Sequence, residues 1–358
     1  MPARGEPVSF KIAVIGCGYI TGASHGPAYV RYAAQHADVE LAACCDVDGA
    51  RAEDCRARFG FARAYTDYLG LLDAEKPGAV CLNVPERLIC ELGCRILEMG
   101  YPLLAEKPPG LTVEEVERLA ATAETHGVLH QVAFNRRHTP LVVELKRLLE
   151  GQPVHHVCLD FLRIGRTRYD FTTTAIHAVD TARFLLGCDY QHVRFQYQAF
   201  PDLGTDVANF FLDCVFTSGV TARLSISPVT GVSVERVAVH AVDHTWFLSL
   251  SNGPDVPGSL RHFEQGQLVL DLDGAQFCGS QDDYILSGFY AEDAAFFDAV
   301  RAGRQPADDF RSARQSVEVM QYMRERKPVY RNADYRTGAD RSAVMQAMRE
   351  RKPVYSGD

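Results

Sequence analysis

The feature that most restricts the fold is the junction at residues 10–22, where the apolar run Phe10-Lys-Ile-Ala-Val-Ile15 passes straight into Gly16-Cys-Gly-Tyr-Ile-Thr-Gly22. An apolar strand feeding a glycine turn that opens a helix presents backbone amides and a positive helix N-terminus to a pyrophosphate. Gly16 permits the tight turn, Gly18 lets the backbone approach the phosphates, and Tyr19 and Ile20 continue the loop. The third fingerprint position is Thr21 instead of glycine. That slot serves helix–strand packing, so the phosphate-binding part of the motif is intact.

A second apolar run, Val39–Cys45, ends at Asp46, 28 residues beyond Gly18, where the usual interval is about 20. A longer first helix and loop absorb the difference. A carboxylate at that strand end accepts hydrogen bonds from ribose hydroxyls and repels a 2′-phosphate. Val47-Asp48 follows with no adjacent arginine, so the expected cofactor is NAD, with NADP disfavoured.

The grammar of the first 137 residues is that of βαβ units. Strand candidates Ala79–Asn83, Pro102–Ala105 and Val128–Phe134 join the first two, with amphipathic helices at Arg87–Met99 and Val113–His126 between them. Thr112 with Glu115 three residues on has capping-box spacing. These predict a parallel, doubly wound α/β Rossmann domain over residues 1–137. After Phe134 the pattern changes to a helix at Leu141–Leu149 and long alternating strands at Val154–Arg163, His192–Phe200, Val207–Phe216, Val220–Ser227, Glu235–Val242 and Thr245–Leu250. With helices at Ala291–Ala302 and from Phe310 to about Glu325, residues 138–330 read as an α+β domain with a large open, mostly antiparallel sheet. In the remaining segment, 331–358, Met320–Tyr330 recurs as Met345–Tyr355 with one substitution. Two copies fall short of the roughly three units a solenoid needs, so the repeat reads as a local duplication.

The 358 residues exceed the roughly 250–300 at which one core stops growing, in keeping with two domains. A net charge of -9 and the lack of a basic stripe disfavour nucleic acid and anionic membranes as partners. No apolar run approaches the ~20 residues of a membrane span, and Met1–Glu6 lacks a signal-like apolar core, so the expected location is cytoplasmic. No GxSxG elbow is present to suggest a serine hydrolase. The eleven cysteines lack CxxC pairing and read as buried reduced thiols. Cys90 and Cys94 could share a helical face, yet no second Cys/His pair accompanies them, and no metal is expected.

Ala105-Glu-Lys-Pro108, Gln131-Val-Ala-Phe-Asn-Arg-Arg137 and Ile176-His-Ala-Val-Asp180, taken with the glycine turn, resemble the Gfo/Idh/MocA family, named for glucose-fructose oxidoreductase and inositol dehydrogenase. The resemblance runs from about residue 8 to 330 and includes Tyr290-Ala-Glu292 through Arg301–Pro306. It implies an NAD(P)-binding Rossmann domain and a C-terminal open sheet that carries the substrate side and often the oligomer interface. A homo-oligomer, dimer or tetramer, is therefore expected, acting on a sugar, polyol or sugar derivative. The resemblance also places Asn83, Pro85, Glu106, Lys107, Pro108 and Asn135 on the cofactor side.

Oxidation of a secondary alcohol needs a base within hydrogen-bond reach of the hydroxyl. Lys107, one of six lysines and flanked by apolar strand and proline, is the leading candidate, because partial burial favours the neutral amine. Glu106 orients Lys107 or a ribose hydroxyl in this reading. His177 joins Lys107 as the second catalytic candidate, sharing a helical face with Asp180, which anchors the helix. Where many family dehydrogenases carry an aspartate, four residues before His177, this chain has Thr173, which cannot accept a proton as a carboxylate does. Lys107 and His177 then suffice, or Tyr169 or Asp170 substitutes. Otherwise the chain is an NAD-using glycosidase or a non-catalytic ligand sensor on the same scaffold. Arg163, Arg166, Arg168 and Tyr169 just upstream suit an anionic substrate group, with solvated surface charge the equally weighted alternative.

Overall fold

The computed structural model describes residues 9–252 and 256–333. The second copy of the repeat, Met345–Tyr355, lies outside the described residues. Among those described, no helix is long and apolar enough to cross a membrane.

The first sheet contains β1 (Phe10–Ile15), β2 (Val39–Cys45), β3 (Arg63–Tyr65), β4 (Ala79–Leu82), β5 (Leu103–Glu106) and β6 (His130–Ala133). All pairs are parallel, in the order β3-β2-β1-β4-β5-β6. Four of the strands, β1, β2, β4 and β5, are near-continuous apolar runs because the crossover helices bury both faces of the sheet. The crossovers are α1 (Gly26–Gln35), α2 (Gly49–Phe59), α3 (Tyr68–Glu75), α4 (Glu86–Glu98) and α5 (Val113–His126). The Thr112 hydroxyl accepts the Glu115 amide at 3.3 Å, the expected cap. The strand order reverses between β1 and β4, which places the switch point of the sheet at their carboxyl ends, next to Gly16 and Asn83.

The second sheet carries nine strands: β7 (Val154–Leu162), β8 (Tyr190–Ala199), β9 (Ala208–Phe216), β10 (Thr221–Ser227), β11 (Val234–Ala241), β12 (His244–Ser249), β13 (Ser259–Glu264), β14 (Gln267–Asp273) and β15 (Val329–Arg331). Their order is β14-β13-β12-β11-β7-β10-β9-β8-β15, antiparallel throughout except for the β7–β10 pair. Alternating burial along β9 and β10 reflects one face packed on a core. The helices beside this sheet are α6 (Pro140–Leu148), α7 (Thr172–Leu186) and the short α8 (Gly274–Cys278). Strands β13 to β15 were not anticipated. β15 is formed by the first copy of the C-terminal repeat, whose Tyr330 is buried.

The chain then forms α9 (Asp283–Leu286), α10 (Phe289–Arg301) and α11 (Phe310–Arg324). Its compact units are residues up to Thr139 with Ser280–Glu318, and Pro140–Gly279 with the residues from Val319. This corrects the expected division at residue 137, which assigned everything to 330 to the second domain. The physical reason is burial: Phe296 and Phe297 of α10 pack into the same core as Tyr29, Tyr32 and Ile12, and the β6 amide of Val132 donates to Asp308 at 2.8 Å.

Candidate dinucleotide site

Gly16 ends β1 with φ +100°, and a Cβ there would stand 2.2 Å from the Asn83 carbonyl oxygen. Only glycine fits so close to β4. Gly18 is different, since a Cβ there would meet nothing within 4 Å, leaving open space directly over the backbone. The Thr21 hydroxyl donates to the Gly16 carbonyl at 2.6 Å and accepts from Asn83 Nδ2 at 3.0 Å. The third fingerprint position therefore closes the turn through hydrogen bonds. Ile20 is half-buried, and Tyr19 is 87% exposed.

Thr21–His25 forms one wide π turn, in which the Gly26 amide reaches back to Thr21. Pro27 follows, lacking an N–H to continue the ordinary ladder, which accounts for the widened turn. His25, on this turn, is fully buried. Its Nε2 lies 2.9 Å from Glu106 Oε1 and its Nδ1 2.9 Å from Asp293 Oδ1. Burial opposes a charged imidazole, but the charges and hydrogen bonds of Asp293 and Glu106 outweigh it and lift His25 well above its ordinary range. Burial likewise opposes the Glu106 carboxylate, yet His25 holds it below the usual value. Glu106 Oε2 accepts the Lys107 amide at 2.9 Å, so the buried pair fixes the backbone from which the lysine projects. Beside them Glu292 is fully buried with both oxygens unpartnered, and burial pushes it well above the carboxylate range.

Asp46 is almost buried, its Oδ2 accepting the Cys17 amide and its Oδ1 the Asp48 amide, both at 2.9 Å. It ties the glycine turn to the end of β2. Contrary to the expectation of no neighbouring arginine, Arg51 Nη2 lies 3.1 Å from Asp46 Oδ1. The first turn of α2, capped by Asp48, carries Arg51 round to the carboxylate. A cavity of about 480 Å³ opens beside the turn, lined by Gly18, Tyr19, Gly22, Arg51 and Arg58. An uncluttered glycine backbone, a fixed acceptor at the end of β2 and flanking guanidiniums fit a dinucleotide.

Residues 10–134 match the model described as an oxidoreductase family with an NAD-binding Rossmann fold, the Gfo/Idh/MocA family. Over this stretch the chain is similar to the NAD-binding domain of the Gfo/Idh/MocA oxidoreductases. Among curated relatives it is 30% identical over 190 residues to inositol 2-dehydrogenase 2 of Saccharopolyspora erythraea, covering 50% of this chain and 55% of that one. With the scyllo-inositol 2-dehydrogenase (NAD(+)) of Bacillus subtilis it shares 25% identity over 276 residues, 72% and 77% of the two chains. A D-glucoside 3-dehydrogenase of Escherichia coli aligns over 35% of its length, so the chain matches about half or less of several curated relatives. A levoglucosan dehydrogenase structure, in complex with NADH and levoglucosan, superposes with a TM-score of 0.78 at 17% identity, covering 91% of this chain and all of that one. At that identity the likeness is one of fold.

The remaining candidates fall in two groups. Around the Rossmann sheet, Pro85 caps α4, and half-buried Lys107 follows β5 ahead of buried Pro108. Asn135 has internal partners: its Nδ2 donates to the Ser287 carbonyl at 2.8 Å and its Oδ1 accepts from Arg136 at 2.9 Å. In the second unit, His177 is buried on α7 near the Phe161 ring. The Thr173 hydroxyl donates to the Asp170 carbonyl at 2.8 Å, and Asp170 Oδ1 accepts from the Thr172 amide and hydroxyl, so both serve the start of α7. The arginine segment divides. Arg163 is committed to an ion pair with Glu235 and lies over the Phe161 ring, which removes it from the substrate candidates. Arg166, Arg168 and Tyr169 are exposed.

Sequence reasoning missed His25, Arg51, Glu292 and Asp293. The available signal was weak: His25 follows the glycine motif by one turn, and the acidic pair lies in the segment Tyr290-Ala-Glu-Asp293.

Proposed function

We propose that the chain is an NAD-dependent oxidoreductase acting on a hydroxyl or carbonyl carbon of a sugar, polyol or sugar derivative. The observation that carries the reading is the junction of two features in the first unit: a dinucleotide-type turn at the sheet's switch point, and a lysine anchored beside it through Glu106 and His25. Ligands of open α/β sheets bind at this end. The names of the inositol and glucoside dehydrogenase relatives support the substrate class.

NAD, when bound, supplies the hydride acceptor for the alcohol carbon. Gly18 and the amides around it would hold the pyrophosphate, and Asp46 the ribose hydroxyls. Glu106 fixes the Lys107 backbone, and Lys107 Nζ, as the neutral amine, takes the hydroxyl proton in oxidation and returns it in reduction. His177 contributes the second proton-handling group in the family resemblance. Thr173 is tied to Asp170 and serves as a helix-start residue in this scheme. Arg166 and Arg168 suit a substrate with an anionic group.

The test is Lys107→Met assayed with NAD and a panel of inositols, aldoses and sugar acids. NADH formation by the wild type and a loss of 10²-fold or more in kcat at retained NADH affinity is the expected result, from the roughly 10²–10⁴-fold worth of general base catalysis. Turnover within a few-fold of wild type would remove Lys107 from the mechanism. Bond cleavage without net NADH would replace the dehydrogenase by the glycosidase reading.

A further inference from the structure

The tertiary structure brings together three cysteines that the sequence spaces far apart. Cys17 lies between Gly16 and Gly18, Cys44 near the end of β2 and Cys55 on α2, and their three Sγ atoms all lie within 4.8 Å of one another. All three are free thiols. We propose that Cys17, Cys44 and Cys55 form a binding site for one thiophilic divalent cation, with zinc as the occupant.

The geometry is close to what such an ion needs. Zn–S bonds of about 2.3 Å in tetrahedral array hold sulfur atoms roughly 3.8 Å apart, so side-chain rotation within the observed spacing suffices. Three soft sulfur donors select zinc or its heavier congeners and exclude magnesium and calcium, which take oxygen ligands. The thiols now contact one another and make weak contacts to backbone carbonyls, Cys17 Sγ to Cys45 at 3.5 Å and Cys44 Sγ to Ala52 at 3.2 Å and to Arg63 at 3.8 Å. Coordination exchanges these for metal–sulfur bonds and releases the thiol protons to solvent. Three thiolates on one divalent cation leave a net charge of -1; Arg51 and Arg58 line the same cavity, each also paired with a carboxylate, Arg51 with Asp46 and Asp48 and Arg58 with Asp54.

An entry path exists as well. Cys17 is half-buried, and it and Cys55 line the cavity of about 480 Å³, so an ion arrives from solvent and a water completes its fourth position. Other clusters lack one of these properties. His25, Glu292 and Asp293 also bring ligand atoms within 4.8 Å, but all three are fully buried and both His25 nitrogens are hydrogen-bonded. Cys90 and Cys94, the pair that sequence spacing singled out, are joined by no third ligand atom among the described residues. A cation on Cys17, Cys44 and Cys55 would pin the glycine turn, β2 and α2 to one another. This site stands apart from the oxidoreductase reading, because its test needs neither NAD nor turnover.

The experiment is a cadmium titration of the reduced, metal-free protein, followed by the thiolate-to-cadmium charge-transfer band in the ultraviolet. The expected result is a band saturating at one cadmium per chain, kept in the Cys90→Ser/Cys94→Ser variant and weakened more than about 100-fold in Cys17→Ser or Cys55→Ser. Changes outside the coordination shell alone cost roughly 10–100-fold. A band that persists at wild-type affinity in both single variants, or that vanishes with Cys90 and Cys94, overturns the site. Unmutated protein gives a second reading through alkylation mapped by mass spectrometry. Zinc should slow modification of Cys17 and Cys55 relative to Cys158, Cys188 and Cys278, and equal slowing at all five overturns the proposal.

Discussion

The two glycines of the turn differ so sharply in surroundings that alanine at each separates stability from cofactor binding. At Gly16, φ +100° costs an L-residue roughly 1–3 kcal/mol. The added Cβ would also stand 2.2 Å from the Asn83 carbonyl oxygen and 2.6 Å from its carbon. That backbone cannot retreat easily, because the Asn83 amide donates to Ile15 at 2.8 Å within the β1–β4 pairing. Strain and clash together are expected to exceed about 3 kcal/mol, a fall of roughly 6–12 °C in Tm for a unit of this size. Gly18 lies outside the left-handed region and its Cβ would touch nothing, so Gly18→Ala should leave stability unchanged or raise it by up to about 1 kcal/mol. It should nonetheless weaken NADH about tenfold or more, equivalent to about 1.4 kcal/mol, since the methyl fills the space the phosphates need. Urea unfolding and NADH fluorescence titration of both variants measure the two effects. Gly16→Ala within about 1 kcal/mol of wild type, or Gly18→Ala with wild-type NADH affinity, refutes the reasoning.

Three further outcomes follow from the geometry. Asp46→Ser removes the repulsive carboxylate and leaves Arg51, 3.1 Å away in the wild type, able to meet a 2′-phosphate; NADPH affinity relative to NADH should rise about tenfold or more, and an unchanged ratio would contradict the assigned role. Burial raises Glu292 well above 4.5, with Asp293, Glu106 and Asp308 adding to the shift and His25 opposing it. The folded state therefore holds an extra proton above the unfolded value, and stability falls with rising pH from about 4.5 by up to roughly 1.4 kcal/mol per unit. Glu292→Gln should flatten that slope in urea unfolding between about pH 5 and 6.5. The His25 contribution, also raised, is present below about 6.5 and is lost as pH climbs through its folded value, so a decline above 6.5 should remain. Finally, Arg166→Ala with Arg168→Ala should raise KM for an anionic substrate at unchanged Tm, whereas Arg163→Ala should lower Tm by breaking the Glu235 pair.

Much of the architecture could be read in advance, and particular elements show why. The spans of β1, β2 and α5 were read without error, because a strand buried on both faces needs a continuous apolar run and a helix start needs a cap such as Thr112. These are local demands. β3 and β15, three residues each, are too short to generate a period. The Arg163 side chain looked available from its neighbours in sequence, yet its partner is 72 positions away on β11.

The sequence by itself determined the parallel Rossmann sheet, the antiparallel second sheet, the glycine turn after β1 and the place of Asp46 at the end of β2, since each rests on patterns confined to a few turns or one strand. Tertiary structure alone decided that α10 returns to the first unit, that Asp293 meets His25 across 268 positions, and that Arg51 stands beside Asp46. It also decided that Cys17, Cys44 and Cys55 converge. The physical reason is that local periodicity records which face of an element is buried, whereas a pairing between distant side chains depends on where the elements dock.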